Sequence, residues 1–292
     1  MADYGLSRPQ TRMLRRLHGF SDLRVDPELP VLDLVSAPAG EVLRSVADRS
    51  TIKYLMFAHT TVTISPSYVH LPAAIAARFD LTEVETFTVS QQRCANSLSA
   101  LDIAGNLLRA DGDRSACVLL VTGEKRLASL AGLLGLSTAI GEASTACLIS
   151  LDGSGDRVLS YADITRGQPE EPAWVSEAFI NKIMERYTED LTYVVGEALR
   201  RSGTHLRDIA MVVPHNVSRM LWYRTVEALG IERRRVFLDT VGQYGHCYCS
   251  DPFLNLMVMR ERGQLVAGGR YLLVSVGLGA THAAVVIEHR PG

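Results

Sequence analysis

The sequence predicts an α/β fold built from two similar halves. Three observations carry this. Short runs of unbroken apolar residues read as strands covered on both faces. Segments rich in Ala and Leu at helical spacing alternate with them. The same strand–helix order then recurs in the second half, which suggests duplication. Residues 1–29 are polar, carry Arg12, Arg15 and Arg16 ahead of Pro27 and Pro30, and read as a lead-in arm or first helix. Tyr54–Ala58 is an apolar run, Leu71–Phe79 is helical in spacing, and Thr86–Val89 alternates as a strand does. Ala95–Arg109 returns to helical spacing, and Cys117–Val121 and Thr145–Leu151 are buried-strand candidates. In the second half Ile209–Val213 reads as a strand, Arg219–Leu229 as a helix, Arg235–Leu238 as a strand and Pro252–Glu261 as a helix. Tyr271–Val276 and Ala283–Glu288 close the series as strands, and the amphipathic stretch Val175–Ser202 bridges the halves. The expected units are therefore 1–165 and 166–292.

Composition narrows the function. The chain has 292 residues, 47% of them apolar and 21% charged, with a net charge of −2. A large core is possible, and a general electrostatic grip on nucleic acid, which needs a basic excess, is not expected. The five cysteines (94, 117, 147, 247 and 249) are odd in number and form no C-x-x-C pair. No signal-peptide pattern follows Met1. Reduced thiols in a cytoplasmic protein are expected rather than a disulfide framework. The apolar stretches Leu127–Ile140 and Tyr271–Ile287 are interrupted by Ser, Thr, Gly or His, so no membrane span is expected.

Four places carry candidate chemistry. Cys94, in Ser90-Gln-Gln-Arg-Cys94-Ala-Asn-Ser, sits between an expected strand end and an expected helix start. Backbone N–H groups and the helix dipole stabilise a thiolate there, and Arg93 adds positive potential. The competing reading is a buried structural cysteine, which suits Cys117 and Cys147 inside apolar runs better. His215 follows Val212-Val-Pro214 at a strand's carboxyl end, where open α/β sheets bind ligands. An imidazole there serves as a base or as a donor to an oxyanion, against the alternative of a loop histidine without a role. Gly242-Gln-Tyr-Gly-His246-Cys-Tyr-Cys-Ser-Asp251-Pro gathers His, Asp and two Cys ahead of a helix. Asp251 or Ser250 is a natural N-cap with Pro252 behind it. A metal site at His246, Cys247, Cys249 and Asp251 fails on ligand spacing, so no metal is expected. Gly277-Leu-Gly279 is too short for a dinucleotide fingerprint, but a glycine between strands can offer its N–H to a substrate oxygen.

The order of these pieces resembles the thiolase superfamily, and most closely its ketoacyl-acyl-carrier-protein synthase III branch, over roughly residues 31–289. Cys94-Ala-Asn-Ser-Leu-Ser-Ala-Leu-Asp-Ile-Ala104 resembles the nucleophile helix. Ile140-Gly-Glu-Ala-Ser-Thr-Ala-Cys-Leu148 is similar to a Gly-Asp-Gly-Ala turn and strand, and Pro214-His215-Asn216 to a Pro-His-Gln motif. The resemblance implies a layered α-β-α-β-α sandwich of two duplicated half-domains, working as a homodimer. It implies an oxyanion hole from the N–H groups of Gly279 and Cys94, with Asn216, Arg93 and Tyr244 near substrate. Where the family has Gly-Asn, this chain has Gly245-His246, giving a Cys-His-His set like that of elongating condensing enzymes. A shifted alignment brings Asp251 forward as the third polar member. The resulting Cys-His-Asp set is similar to members that acylate alcohols or amines without condensation. Gln91, Gln92 and Arg93 replace smaller residues, residues 1–30 do not show the usual first strand, and the two tryptophans, at 174 and 222, lie away from the segment whose aromatic stacks on adenine in the family.

The expected activity is that of an acyltransferase in a specialised pathway such as antibiotic biosynthesis, related to polyketide or fatty-acid chemistry. The acyl group would come from an acyl carrier protein or coenzyme A thioester, so no resident cofactor is expected. It would load Cys94 and pass to a small-molecule acceptor, by ester or amide formation or by decarboxylative condensation. The rival is a non-catalytic partner subunit of a heterodimeric condensing enzyme. Arg12, Arg15, Arg16 and Arg233–Arg235 are candidate contacts for an acidic carrier. Tyr244, Tyr248, Phe253, Trp222 and Met220 are candidate pocket residues that serve equally well as core. Cys247 and Cys249 have no assigned purpose.

Overall fold

Strands form where β-branched and apolar residues run together, and they assemble into two mixed sheets. The structure, a computed structural model, describes residues 7–21, 23–61, 64–66, 68–126, 138–166, 177–277 and 281–291, with side chains at 177–183 and at Gln10 outside that description. The first sheet has the order β2-β1-β3-β4, from β1 (Ile52–Ala58), β2 (Glu85–Val89), β3 (Cys117–Gly123) and β4 (Ser144–Ser150). The second has the order β5-β8-β7-β6, from β5 (Arg157–Thr165), β6 (Ile209–Pro214), β7 (Arg270–Gly277) and β8 (Thr281–Glu288). In the first sheet β2, β1 and β3 run parallel and β4 runs antiparallel on β3, and in the second β6 and β7 run parallel and β8 runs antiparallel on β7. β5 ends at the expected boundary of 165 yet pairs antiparallel with β8, so it belongs to the second sheet.

Residue alternation along the central strands sorts the layers. From β3, Val118 and Leu120 face a middle core while Leu119 and Val121 face an outer one. From β8, Ala283 and Val285 face that same middle core, and Ala284 and Val286 the opposite outer one. The middle core holds α4 (Asn96–Asp111) through Leu98 and Ala104, and α7 (Asp251–Glu261) through Leu254 and Val258. Outside the first sheet lie α2 (Val31–Arg44) and α3 (Leu71–Arg78), packed through Val35, Leu43 and Ile75. Outside the second lie α5 (Glu177–Ser202) and α6 (Arg219–Ala228), packed through Leu191, Val194 and Trp222. The expected five-layer α-β-α-β-α sandwich is what forms, with α4 and α7 shared between the halves.

Three elements differ from expectation: α2 and β5 have no counterpart in the sequence reading, and Arg235–Leu238 is not a full strand. Helix α2 escapes the sequence reading because Pro38 and Gly40 interrupt its pattern, although its apolar face still buries. The polar lead-in forms a first helix, one of its two expected states, as α1 (Arg8–Met13), and its continuation inserts Leu14 and Phe20 into the core outside the second sheet. Arg235–Leu238 forms no full strand: Val236 makes a single bridge to Val212, and 233–235 is a tight helical turn. Among the described residues no helix is long and apolar enough to cross a membrane.

Candidate active site

Cys94 sits in a tight turn between β2 and α4, and several contacts hold that turn. Arg93 takes a left-handed backbone (φ 57°), so the chain reverses directly before the thiol. Asn96, fully buried, accepts from the Gln92 N–H at 2.9 Å and donates to the His59 carbonyl at 2.6 Å. From the other sheet, Ser275 Oγ donates to the Cys94 carbonyl at 2.6 Å. Gly277 faces the same turn so closely that a Cβ there would lie 2.2 Å from the Gln92 oxygen. The thiol thus stands at the amino end of α4, where the helix dipole favours an anion.

The structure brings His246 and Asp251 to that thiol together. His246 Nε2 lies 3.3 Å from Cys94 Sγ, and its Nδ1 lies 2.5 Å from Asp251 Oδ2. The loop reaches this position because Gly245 has a positive φ and no side chain; a Cβ would sit 2.5 Å from the Ala139 oxygen. His246 N–H then bonds Ala139 O, and Gly141 N–H returns to His246 O. Asp251 is the first residue of α7, and its carboxylate does not cap that helix. It accepts from Cys247 N–H at 2.7 Å and Asn216 N–H at 2.6 Å besides His246. The expectation of a plain cap at Ser250 or Asp251 gives way, since Ser250 makes no side-chain cap bond. All three groups are buried, with Cys94 6%, His246 2% and Asp251 0% exposed. Burial opposes a charge on His246, but the Asp251 carboxylate and the Cys94 sulfur outweigh it, pushing the ring up to about 10. The two alternatives for the third polar member are therefore both present, joined to Cys94 in one chain of contacts.

His215 completes the cluster from the end of β6. Its N–H bonds Val274 O at 3.0 Å, and its carbonyl accepts from Trp222 Nε1 at 2.8 Å. The ring meets Trp222 edge-on and lies 5.9 Å, centroid to centroid, from the His246 ring. Burial, and then the neighbouring His246 charge, hold His215 well below the usual histidine range. It is the neutral imidazole of the pair, and its Nδ1 makes no hydrogen bond.

Other expectations divide. Gly279 lies outside the described residues. Asn216 contributes its N–H to Asp251, Arg93 shapes the turn, and Tyr244 packs half-buried against the middle core. Trp222 and Tyr248 are core residues. Cys247 and Cys249 are fully buried thiols that burial pushes well above their usual range, and Cys249 donates to Ala58 O at 3.2 Å. Cys147 is likewise pushed up to about 12 by burial. Among the described residues no cluster of His, Cys, Asp and Glu could hold a metal ion. The basic run 233–235 is already engaged: Arg235 bonds the Leu206 and Arg207 carbonyls, and Arg234 pairs with Glu232. A cleft of about 620 Å³ flanks the nucleophile turn, lined in part by Gln92, Ser99, Tyr161 and Asp163, and Cys94 does not line it. Asn96 and Ser275 hold the Cys94 turn without any signal in the sequence, because the His59 carbonyl that Asn96 meets and the Cys94 carbonyl that Ser275 meets lie far away along the chain.

Comparison with known proteins follows the geometry. Residues 199–289, which carry His215, His246 and Asp251, match the family described as 3-oxoacyl-[acyl-carrier-protein] synthase III, C-terminal. The chain is ketosynthase III-like. The beta-ketoacyl-[acyl-carrier-protein] synthase III of Aquifex aeolicus is 20% identical to it over 278 residues, 93% of this chain and 88% of that protein. That of Rhodospirillum centenum is 26% identical over 249 residues, 78% of this chain and 75% of that protein. Among solved structures, the acyltransferase ChlB3 superposes with a TM-score of 0.85 at 20% identity, covering 95% of this chain and 89% of its own. The synthase III of Thermus thermophilus gives 0.80 at 20% identity, covering 100% and 94%. The ketosynthase III-like chain thus has the thiolase fold that its motifs imply.

Proposed function

We propose that this protein moves an acyl group from a carrier-protein or coenzyme A thioester, through Cys94, to the hydroxyl or amine of a small molecule in specialised metabolism. One observation carries the choice of heteroatom over carbon acceptor: His246 turns Nδ1 to Asp251 and Nε2 to Cys94. A carboxylate on Nδ1 keeps the proton there, so neutral His246 presents a lone pair at Nε2, as a base must. Decarboxylative condensation instead needs Nε2 to keep a proton at the acyl-enzyme stage, donating to the enolate oxygen, and by then His246 has given that proton to the departing thiol.

The steps follow. With His246 protonated, Cys94 attacks the thioester carbon as thiolate, and His246 gives its Nε2 proton to the departing thiol. Acylation removes the sulfur's charge and with it part of what keeps the ring protonated. Neutral His246 then takes the proton of the attacking hydroxyl or amine, and the tetrahedral adduct expels Cys94 thiolate beside the imidazolium. Neutral His215 and the N–H groups of Cys94 and Gly279 are the oxyanion donors in this reading. No resident cofactor enters, the working unit is a homodimer, and a reducing cytoplasm suits the thiol.

Intact-protein mass spectrometry with a panel of acyl thioesters tests the reading. A single acyl adduct is expected on the wild type and none on Cys94→Ala. A hydroxyl or amine acceptor should then discharge it, while a malonyl thioester should not. Discharge by malonyl thioester with loss of carbon dioxide would establish condensation instead. No adduct from any thioester would favour the non-catalytic partner.

A further inference from the structure

A second polar network lies behind the reacting groups and joins the two histidine turns. Asn255 stands one helical turn after Asp251 on α7 and is completely buried, as are Thr240 and Asn216. Its Nδ2 donates to Pro214 O at 2.6 Å and to Asn216 Oδ1 at 2.9 Å. Its Oδ1 accepts from the Thr240 hydroxyl, which also lies 3.2 Å from Asn216 Oδ1. The amide therefore grips both flanks of His215, through the carbonyl before it and the side chain after it. Asn216 in turn gives its backbone N–H to Asp251 Oδ2, the oxygen that also meets His246 Nδ1.

We propose that Asn255 and Thr240 are positioning residues that set the Asn216 N–H against Asp251, and so fix the carboxylate that orients His246. Neither side chain hydrogen-bonds Cys94 or either imidazole ring. The route is Thr240 to Asn255, Asn255 to the 214–216 turn, and that turn to Asp251. Three donors share the carboxylate, and the Asn216 N–H is the one supplied by the other histidine's turn. Losing it frees Oδ2 to rotate away from Nδ1, and His246 then loses its fixed proton position. The inference rests on the acyl-transfer reading only in taking Cys94, His246 and Asp251 as the reacting set.

The test uses Thr240→Val, which removes the hydroxyl with little change of shape, Thr240→Ser, which restores it, and Asn255→Leu. The readout is the iodoacetamide alkylation rate of Cys94 against pH, followed by mass spectrometry, so no acyl donor is needed. Wild type and Thr240→Ser are expected to share one profile. Thr240→Val and Asn255→Leu should lose at least 10-fold in rate at neutral pH and shift the profile toward alkali, at temperatures where circular dichroism shows them folded. A purely structural role would lower the melting temperature and leave the profile in place, and that result overturns the proposal. Should Asn255→Leu fail to fold, the Thr240 pair decides alone. Failure of the acyl-transfer reading would show separately, as absence of any acyl adduct on wild-type protein whose alkylation profile still responds to Thr240.

Discussion

Replacing Asp251 by Asn asks what a buried carboxylate does that an isosteric amide cannot. An amide offers one acceptor oxygen where the structure needs two: Oδ1 faces Cys247 N–H, while Oδ2 faces both Asn216 N–H and His246. The less costly rotamer places the amide oxygen at the Oδ2 position and turns its NH2 against Cys247 N–H. The Nδ1–H tautomer then survives, and the negative charge does not. Raising His246 from 6.5 to about 10 corresponds to roughly 5 kcal/mol in favour of the charged ring, net of its burial. Asp251 and the Cys94 sulfur share that stabilisation. If the carboxylate supplies more than half, the imidazolium formed in acyl discharge loses roughly 3–5 kcal/mol, a rate loss of about 10²–10⁴.

Quench-flow mass spectrometry separates the two half-reactions. Acyl loading of Cys94 and discharge to the acceptor should both slow in Asp251→Asn, since each passes through the same protonated ring. Melting should remain cooperative, because only one of the carboxylate's hydrogen bonds turns repulsive. Rates within about threefold of wild type in both half-reactions would refute the relay, since a loss near the lower bound of 10² is what the loss of charge alone implies.

Two further perturbations probe the surroundings. Gly277→Ala places a methyl 2.2 Å from the Gln92 oxygen, so the nucleophile turn must move; Cys94 acylation should fall at least 10-fold, and an unchanged rate would show that the turn yields freely. Protonated His246 stabilises the fold because its folded pKa of about 10 exceeds the unfolded 6.5: the contribution is complete below pH 6.5 and is lost as pH rises through about 10. Thermal melts between pH 6 and 10.5 should therefore converge for wild type and His246→Gln at the alkaline end, and parallel curves would contradict the assigned charge.

The parts of this fold legible in the sequence are those whose signal is local. β3, β7 and β8 are predominantly apolar runs because helices cover both their faces, and that pattern identifies them. Cys94 is legible because a strand end, a polar turn and a helix start are adjacent in the chain. Helix α2 is not, since Pro38 and Gly40 break its periodicity while tertiary packing of Val35, Ala39 and Leu43 still selects a helix. β5 carries Ser160 and Asp163 in its middle and owes its strand state to pairing with β8. Arg235–Leu238 shows the reverse error: the apolar triplet is real, but Arg235 is held by carbonyls of the 206–209 segment, and the triplet meets β6 only at Val212, through the Val236 bridge and the Phe237 N–H. Asp251 is the instructive case at the site. Pro252 behind it gives a cap signature, and nothing local says that its carboxylate turns away to a histidine five residues back and to an N–H thirty-five residues away.

That arrangement also weighs against a merely supporting subunit. A carboxylate, an imidazole and a thiol removed from water together carry a desolvation cost that packing alone does not offset, and similarly shaped apolar residues are often neutral or stabilising in such places. Here the fold does the opposite. It spends the Asn216 and Cys247 N–H groups on Asp251, sets Gly245 where no side chain fits, and reaches across from β7 with Ser275 to hold the Cys94 carbonyl. These contacts come from the end of β6, the 245–247 loop and β7, and all fix the same line of three groups. A subunit kept only for its outer surface has no use for that line, whereas thioester chemistry depends on it: the sulfur needs a nearby proton acceptor, the acceptor needs a fixed tautomer, and the tautomer needs Asp251.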